Sequence, residues 1–240
     1  MAGHNKWSKV KRLKAVTDKK KSALYAKYIK EISIAAKQGG ADPDGNARLR
    51  KAITDAKAQS VPKENIDRAL KKASGELDDG VSLEEIVYEG YGPGGVAILV
   101  ECVTDKKTRT QPELRKIFEK GGGSIAEAGA VAWGFEKRGL ILIKKDQGEE
   151  EKLMNIALEA GADDFSASDE GFEILSSPQD FLGVVDGLEK AGIQMELSEL
   201  SFLPNNRIQV SGETSEKLQS LLENLEDHDD VQRVTSNAEF

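Results

Sequence analysis

The stretch GLILIKKDQGEEEKLMNIALEAGADDFSAS, residues 139–168, decides how this chain is to be read. Its first seven residues, GLILIKK (139–145), form a strand. GEEEKLMNIALEAG (148–161) follows with apolar residues at helical spacing, and the glycine at its end is a helix stop. DDFSAS and GFEILSS then make a hairpin, and a helix over 178–191 and a strand near 194–202 complete the run. Residues 139–203 thus read β-α-β-β-α-β, the ferredoxin-like plan.

Working outward, the same plan recurs around the first. Excising 139–203 leaves the strand VAILVECV (96–103), a helix over 110–120 and a strand AVAWGFEK (130–137). Beyond the excision come a strand over 206–212, a helix over 214–226 and a strand over 231–236. That is again β-α-β-β-α-β, so one ferredoxin-like α+β domain (139–203) is inserted into the middle hairpin of another (79–138 with 204–240). A single larger sheet is the alternative.

The first 78 residues differ in texture. Residues 1–21 carry few apolar side chains and form an arm. A helix over 22–38 has Leu24, Tyr28, Ile32 and Ala35 on one stripe and stops at Gly39-Gly40. A second runs over 45–59, and a third over 62–74 places Pro62 at its first position and ends at Gly75; both placements follow helix-terminus chemistry. The expected fold class is therefore α+β multidomain, with a basic arm and three-helix domain over 1–78.

The formal net charge of −8 conceals a polarised chain. Residues 1–75 hold 19 Lys+Arg against 7 Asp+Glu, a balance of +12, and the remainder stands at −20. A cationic head of this kind suits a polyanion. No run of about 18 apolar residues can span a membrane, no secretory h-region opens the chain, and a single cysteine fits a reducing cytoplasm.

Catalytic motifs find little support. The glycines of YEGYGPGG (88–95) precede a strand instead of opening a helix, so they suit a tight turn better than a phosphate cradle. Cys102 alternates with core positions on its strand, and His4 and His228 have no partner at metal-ligand spacing. The acidic stretch ENLEDHDD (223–230) reads as a solvated helix end, with a divalent-cation site as the alternative. No cofactor, metal, catalytic residue or small-molecule substrate is expected.

Phosphate binding has more behind it. Lys6, Lys9, Lys11, Arg12 and Lys14 are followed by Lys19, Lys20, Lys21, Lys27 and Lys30, with Arg48 and Arg50 on the second helix. A second basic spot, TDKKTRT (104–110), brings Lys106, Lys107 and Arg109 to a helix start, where backbone N–H groups favour anions. Lysine outnumbers arginine in the head, which predicts backbone contact above base readout. Trp7 either stacks on a base or anchors the arm.

AGHNKW (2–7), GGADPDGNARLR (39–50), YEGYGPGG (88–95), TDKKTRT (104–110), LEAGADD (158–164) and EDHDDVQRVTSN (226–237) together resemble the YebC/PmpR family over nearly the whole chain. Asn5 stands where that family usually has serine. The resemblance implies a helical N-terminal domain, two α+β domains with one interrupting the other, and no enzymatic activity. It further implies a cytoplasmic DNA-binding transcriptional regulator. Relatives include mitochondrial translational activators, so a ribosome-associated factor binding ribosomal RNA through its arm and helical domain is the alternative. The second and third helices offer few base-reading side chains, which leans toward RNA shape and phosphate recognition.

Overall fold

The computed structural model describes Trp7, residues 18–77, Gly80 and residues 82–240, with side chains in the first helix described from Lys21 onward. In chain order the elements are α1 (Asp18–Gly39), α2 (Ala47–Ala58), α3 (Lys63–Ala73), β1 (Glu84–Tyr91), β2 (Ala97–Thr104), α4 (Lys107–Lys120), β3 (Ser124–Ala126), β4 (Phe135–Ile143) and α5 (Glu150–Glu159). They continue with β5 (Ala162–Ala167), β6 (Phe172–Ser176), α6 (Phe181–Lys190), β7 (Leu197–Pro204), β8 (Ile208–Gln209), α7 (Gly212–Glu226), β9 (Val231–Ser236) and β10 (Ala238–Glu239). The chain forms two compact units: Thr17–Ala132 with Val210–Ala238, and Trp133–Gln209 with Trp7 and Glu239–Phe240.

In the first unit α1, α2 and α3 pack around Ile32, Ala35, Leu49, Ala52, Ala56, Val61, Ile66 and Ala69. Asn46 determines how α1 turns into α2. Its side-chain oxygen accepts from the Leu49 N–H at 3.1 Å, capping α2, while its Nδ2 donates to the Ala35 and Gly40 carbonyls at 2.8 Å each. One side chain therefore satisfies orphan groups at two helix ends. Pro62 stands at the N-cap of α3, one position before the expected place.

The same unit holds an antiparallel sheet in the order β3-β1-β2-β9. Leu114 and Phe118 of α4 and Leu218, Leu221 and Leu225 of α7 are buried. A Cβ on Gly90 of β1 would meet the Phe118 ring at 2.6 Å, which places α4 directly over that strand. The inserted sheet of the second unit has the order β5-β6-β4-β7, again antiparallel throughout. Alternation on β4 separates two faces. Ile141 and Ile143 pack with Leu153 and Ala157 of α5 and Phe181, Val184 and Leu188 of α6, whereas Leu140 and Leu142 pack with Trp7.

Two four-stranded sheets, one nested in the other along the chain, replace the single-sheet alternative. Three details differ from the sequence reading. The strands expected at 130–137 and 139–145 are one strand, β4, and residues 132–134 form a single 3-10 turn. The strand expected over 206–212 shrinks to two residues. β2 is flanked by β9 and by β1, which comes from upstream through the hairpin at Gly92–Val96. The residues EEIVYEGY disguise β1, because three glutamates interrupt its apolar alternation.

Candidate nucleic-acid interface

The cations of α1 divide by the direction in which they point. Lys27 is half-buried and its Nζ donates to the Glu226 carbonyl at the end of α7. Burial pushes its pKa down, against the opposing pull of Glu226, Asp227 and Asp229. Lys30 donates to the Asp229 carbonyl at 2.9 Å and to Asp230 Oδ1 at 2.7 Å. Both lysines fasten α1 to the acidic end of α7, a helix terminus where cations are favoured. Lys21 is exposed, and Lys19 and Lys20 lie in the first turn of the helix.

Asp230 is the centre of this fastening and is only 3% exposed. Besides Lys30, its carboxylate accepts from Arg109 Nη2 at 2.9 Å, Thr110 Oγ1 at 2.7 Å and Thr104 Oγ1 at 3.2 Å. Burial alone would raise its pKa. The donors, Lys30 first among them, overcome that and hold it well below the usual carboxylate range. His228 Nδ1 accepts the Asp230 N–H at 3.1 Å, and the His228 ring meets Glu113 Oε2 at 3.1 Å. The acidic stretch 223–230 is thus a receptor for the chain's own cations.

The basic spot at 104–110 is correspondingly occupied from within. Arg109 also bridges to Asp105 at 2.8 Å, and Lys107 pairs with Glu84 at 2.6 Å. Lys106 is exposed beside the start of α4. Arg48 joins Glu31 at 2.9 Å and Glu85 at 2.6 Å. Burial opposes its charge, but these partners raise its pKa. Arg50 is exposed, with Nη1 on the Pro43 carbonyl at 3.3 Å. Lys6, Lys9, Lys11, Arg12 and Lys14 lie outside the described residues.

Trp7 is 5% exposed, seated on Leu140 and Leu142, with Leu175, Leu197 and Leu203 around it. Gly171 makes room for its ring: a Cβ there would come within 2.6 Å of Trp7 Cζ2. The indole is packed into this apolar seat and offers little of its ring to solvent. Cys102 is buried on β2 and burial pushes its thiol up to about 12, which leaves it an inert core side chain.

Outward cations beyond the expected site residues lie on α2 and α3. Lys57, Lys63, Arg68, Lys71 and Lys72 are all exposed. On α3 the positions 63, 64, 67, 68, 71 and 72 share one face opposite Ile66 and Ala69, with Glu64 and Asp67 set among the four cations. The 3.6-residue period was the available signal. Such a row can line phosphates along a backbone without selecting bases.

Comparison with known proteins gives consistent results. The pattern of the TACO1/YebC protein N-terminal domain matches residues 5–76, and that of the TACO1/YebC second and third domain matches residues 83–238. A "probable transcriptional regulatory protein" of Geobacter sulfurreducens is 51% identical, covering 99% of this chain and 95% of its own. A protein of the same description from Desulforapulum autotrophicum is 48% identical, covering 100% and 97%. Among solved structures, a conserved hypothetical protein from Aquifex aeolicus superposes with a TM-score of 0.85 at 41% identity, covering 94% of this chain and 93% of that one.

Proposed function

Since this chain belongs to the TACO1/YebC family, we propose that it is a non-enzymatic, cytoplasmic regulator of transcription that acts by binding DNA. The observation that carries this reading is the charge polarity: 19 Lys+Arg against 7 Asp+Glu over residues 1–75, with acids in excess beyond. In this reading residues 1–78 bind the nucleic acid. The α+β domain of 79–138 with 204–240, together with its insertion 139–203, forms the acidic body. The contact set consists of the arm cations Lys6, Lys9, Lys11, Arg12 and Lys14, the α1 start at Lys19–Lys21, and the exposed row on α2 and α3. Lys27, Lys30, Arg48 and Arg109 are engaged by internal partners and stand outside this contact set.

Most of these cations are lysines, which act as point charges toward phosphate. Affinity then falls steeply with salt, with a slope of about −0.9 per phosphate contacted on duplex DNA. The lysine excess also favours a second reading, a translation factor on structured ribosomal RNA, where shape and phosphate positions dominate recognition. Titration of operator duplex, scrambled duplex and an RNA hairpin over a salt series decides between them. Preference for one DNA sequence supports the transcriptional reading. Equal binding of both duplexes with tighter binding of RNA supports the second, and no binding of any of the three refutes both.

A further inference from the structure

We propose that the face of the inserted sheet turned away from α5 and α6 is a holding site for the N-terminal segment around Trp7, and that this site and nucleic acid compete for the segment's cations. The inference rests on the nucleic-acid reading above and adds to it a brake, built into the inserted domain, on how tightly the protein binds.

Ile141 and Ile143 lie under α5 and α6, whereas Leu140 and Leu142 point to the other face of the same strand. Leu175 of β6 and Leu197 and Leu203 of β7 widen that second face into an apolar patch, and the Trp7 indole is packed on it. The patch is shaped for a ring. Gly171, between β5 and β6, is a position where a Cβ would come within 2.6 Å of Trp7 Cζ2, so the backbone there runs along the edge of the indole. Trp7 is helical and stands outside the strand order β5-β6-β4-β7, so its described contact is one of side-chain packing. A contact of that kind can be released while the ladders of the sheet stay intact. Charge points the same way. Residues 1–17 carry Lys6, Lys9, Lys11, Arg12 and Lys14 and no Asp or Glu, whereas residues 139–203 carry four Lys, no Arg and fifteen Asp+Glu. The domain that seats the tryptophan therefore attracts the segment and repels a phosphate backbone. The strand register also sets Glu173 beside Leu142 and Glu199 beside Leu140, each already engaged. A tethered segment has an effective concentration of roughly mM, which keeps the seat filled against free peptide. Nucleic acid that draws on the segment's cations must first release it, so its apparent affinity falls with the fraction of chains in which the segment is free.

The test uses the full chain as wild type, W7A, W7F and W133F; in the last of these Trp7 is the sole indole. Duplex DNA and an RNA hairpin are titrated into each at low salt, with circular dichroism to confirm folding. Saturating nucleic acid is expected to shift the W133F emission to longer wavelength, as the ring leaves its leucines for water. W7A is expected to bind nucleic acid about tenfold more tightly than the wild type, the gain when the seated segment is free in about one chain in ten. W7F is expected to gain a smaller factor, and it carries the affinity test if W7A does not fold. A labelled synthetic peptide of residues 2–14 at micromolar concentration is expected to bind folded W7A and not the wild type, whose seat is filled by its own segment. Nucleic-acid binding that leaves the W133F emission unshifted overturns the proposal, because the ring then stays in its seat. Weaker binding in folded W7A or W7F overturns it and assigns Trp7 to the nucleic-acid contact itself. Failure of the peptide to bind folded W7A overturns the holding site. If none of the four proteins binds either nucleic acid, the nucleic-acid reading fails and takes the competition with it.

Discussion

Helices α1 and α3 use the same side chains for opposite purposes. Lys27 and Lys30 of α1 turn inward onto the end of α7, where Asp230 and the Glu226 and Asp229 carbonyls receive them. Lys63, Arg68 and Lys71 of α3 stand in solvent. An inward ammonium exchanges water for a carboxylate and carbonyls, so it contributes to folding and is withdrawn from any outside phosphate. An outward ammonium contributes little to folding and remains available. Counting lysines along the chain cannot separate these two cases; knowing which anion waits across the fold can.

The largest effect expected from breaking this contrast is at Asp230. Asp230→Ala leaves Lys30 and Arg109 without their shared carboxylate, and should destabilise the protein by about 3–4 kcal/mol in denaturant melts. A loss under 1 kcal/mol would show that the inward cations fasten nothing. Trp7→Ala should cost about 3 kcal/mol by emptying the site on Leu140 and Leu142. Loss of nucleic-acid binding with unchanged stability in that variant would restore the stacking role for Trp7.

Glu89→Gln removes a charged acceptor from three backbone N–H groups and should cost about 2 kcal/mol. Glu89 shares with Asp230 a direction of titration. Burial would raise the Glu89 pKa, but the Gly129, Val131 and Ala132 N–H groups lower it. A carboxylate whose folded pKa is depressed stabilises fully above its unfolded value, near pH 4, and loses that contribution as pH falls through the folded value. Acid unfolding monitored by circular dichroism should therefore be shallower in Glu89→Gln and Asp230→Asn than in the wild type. The smallest stability effect belongs to α3: the triple Lys63→Ala, Arg68→Ala, Lys71→Ala variant should stay within about 0.5 kcal/mol of the wild type.

Much of this architecture was legible from local pattern. GLILIKK announced β4, the period of GEEEKLMNIALEAG announced α5, and β9 falls on the expected residues 231–236. What escaped depended on distant partners. β1 was hidden because Glu89 looks like a surface residue until the N–H groups of Gly129, Val131 and Ala132 fold over it. The inward turn of Lys27 and Lys30 was hidden because Asp230 lies about two hundred residues away in sequence. The seat of Trp7 was hidden on the same ground, since it is built by β4, β6 and β7. The outward face of α3, by contrast, was available from the helical period and needed only to be read for what faces away from Ile66 and Ala69.

The most direct test of the account compares salt dependence of duplex binding in three proteins: the wild type, the α3 triple variant and Lys30→Ala. The account predicts that the triple variant flattens the slope of log K against log salt by up to about 0.9 for each phosphate contact removed. It also predicts that Lys30→Ala keeps the wild-type slope while melting at a lower temperature. A wild-type slope in the triple variant, together with a flattened slope in a stable Lys30→Ala protein, would contradict it.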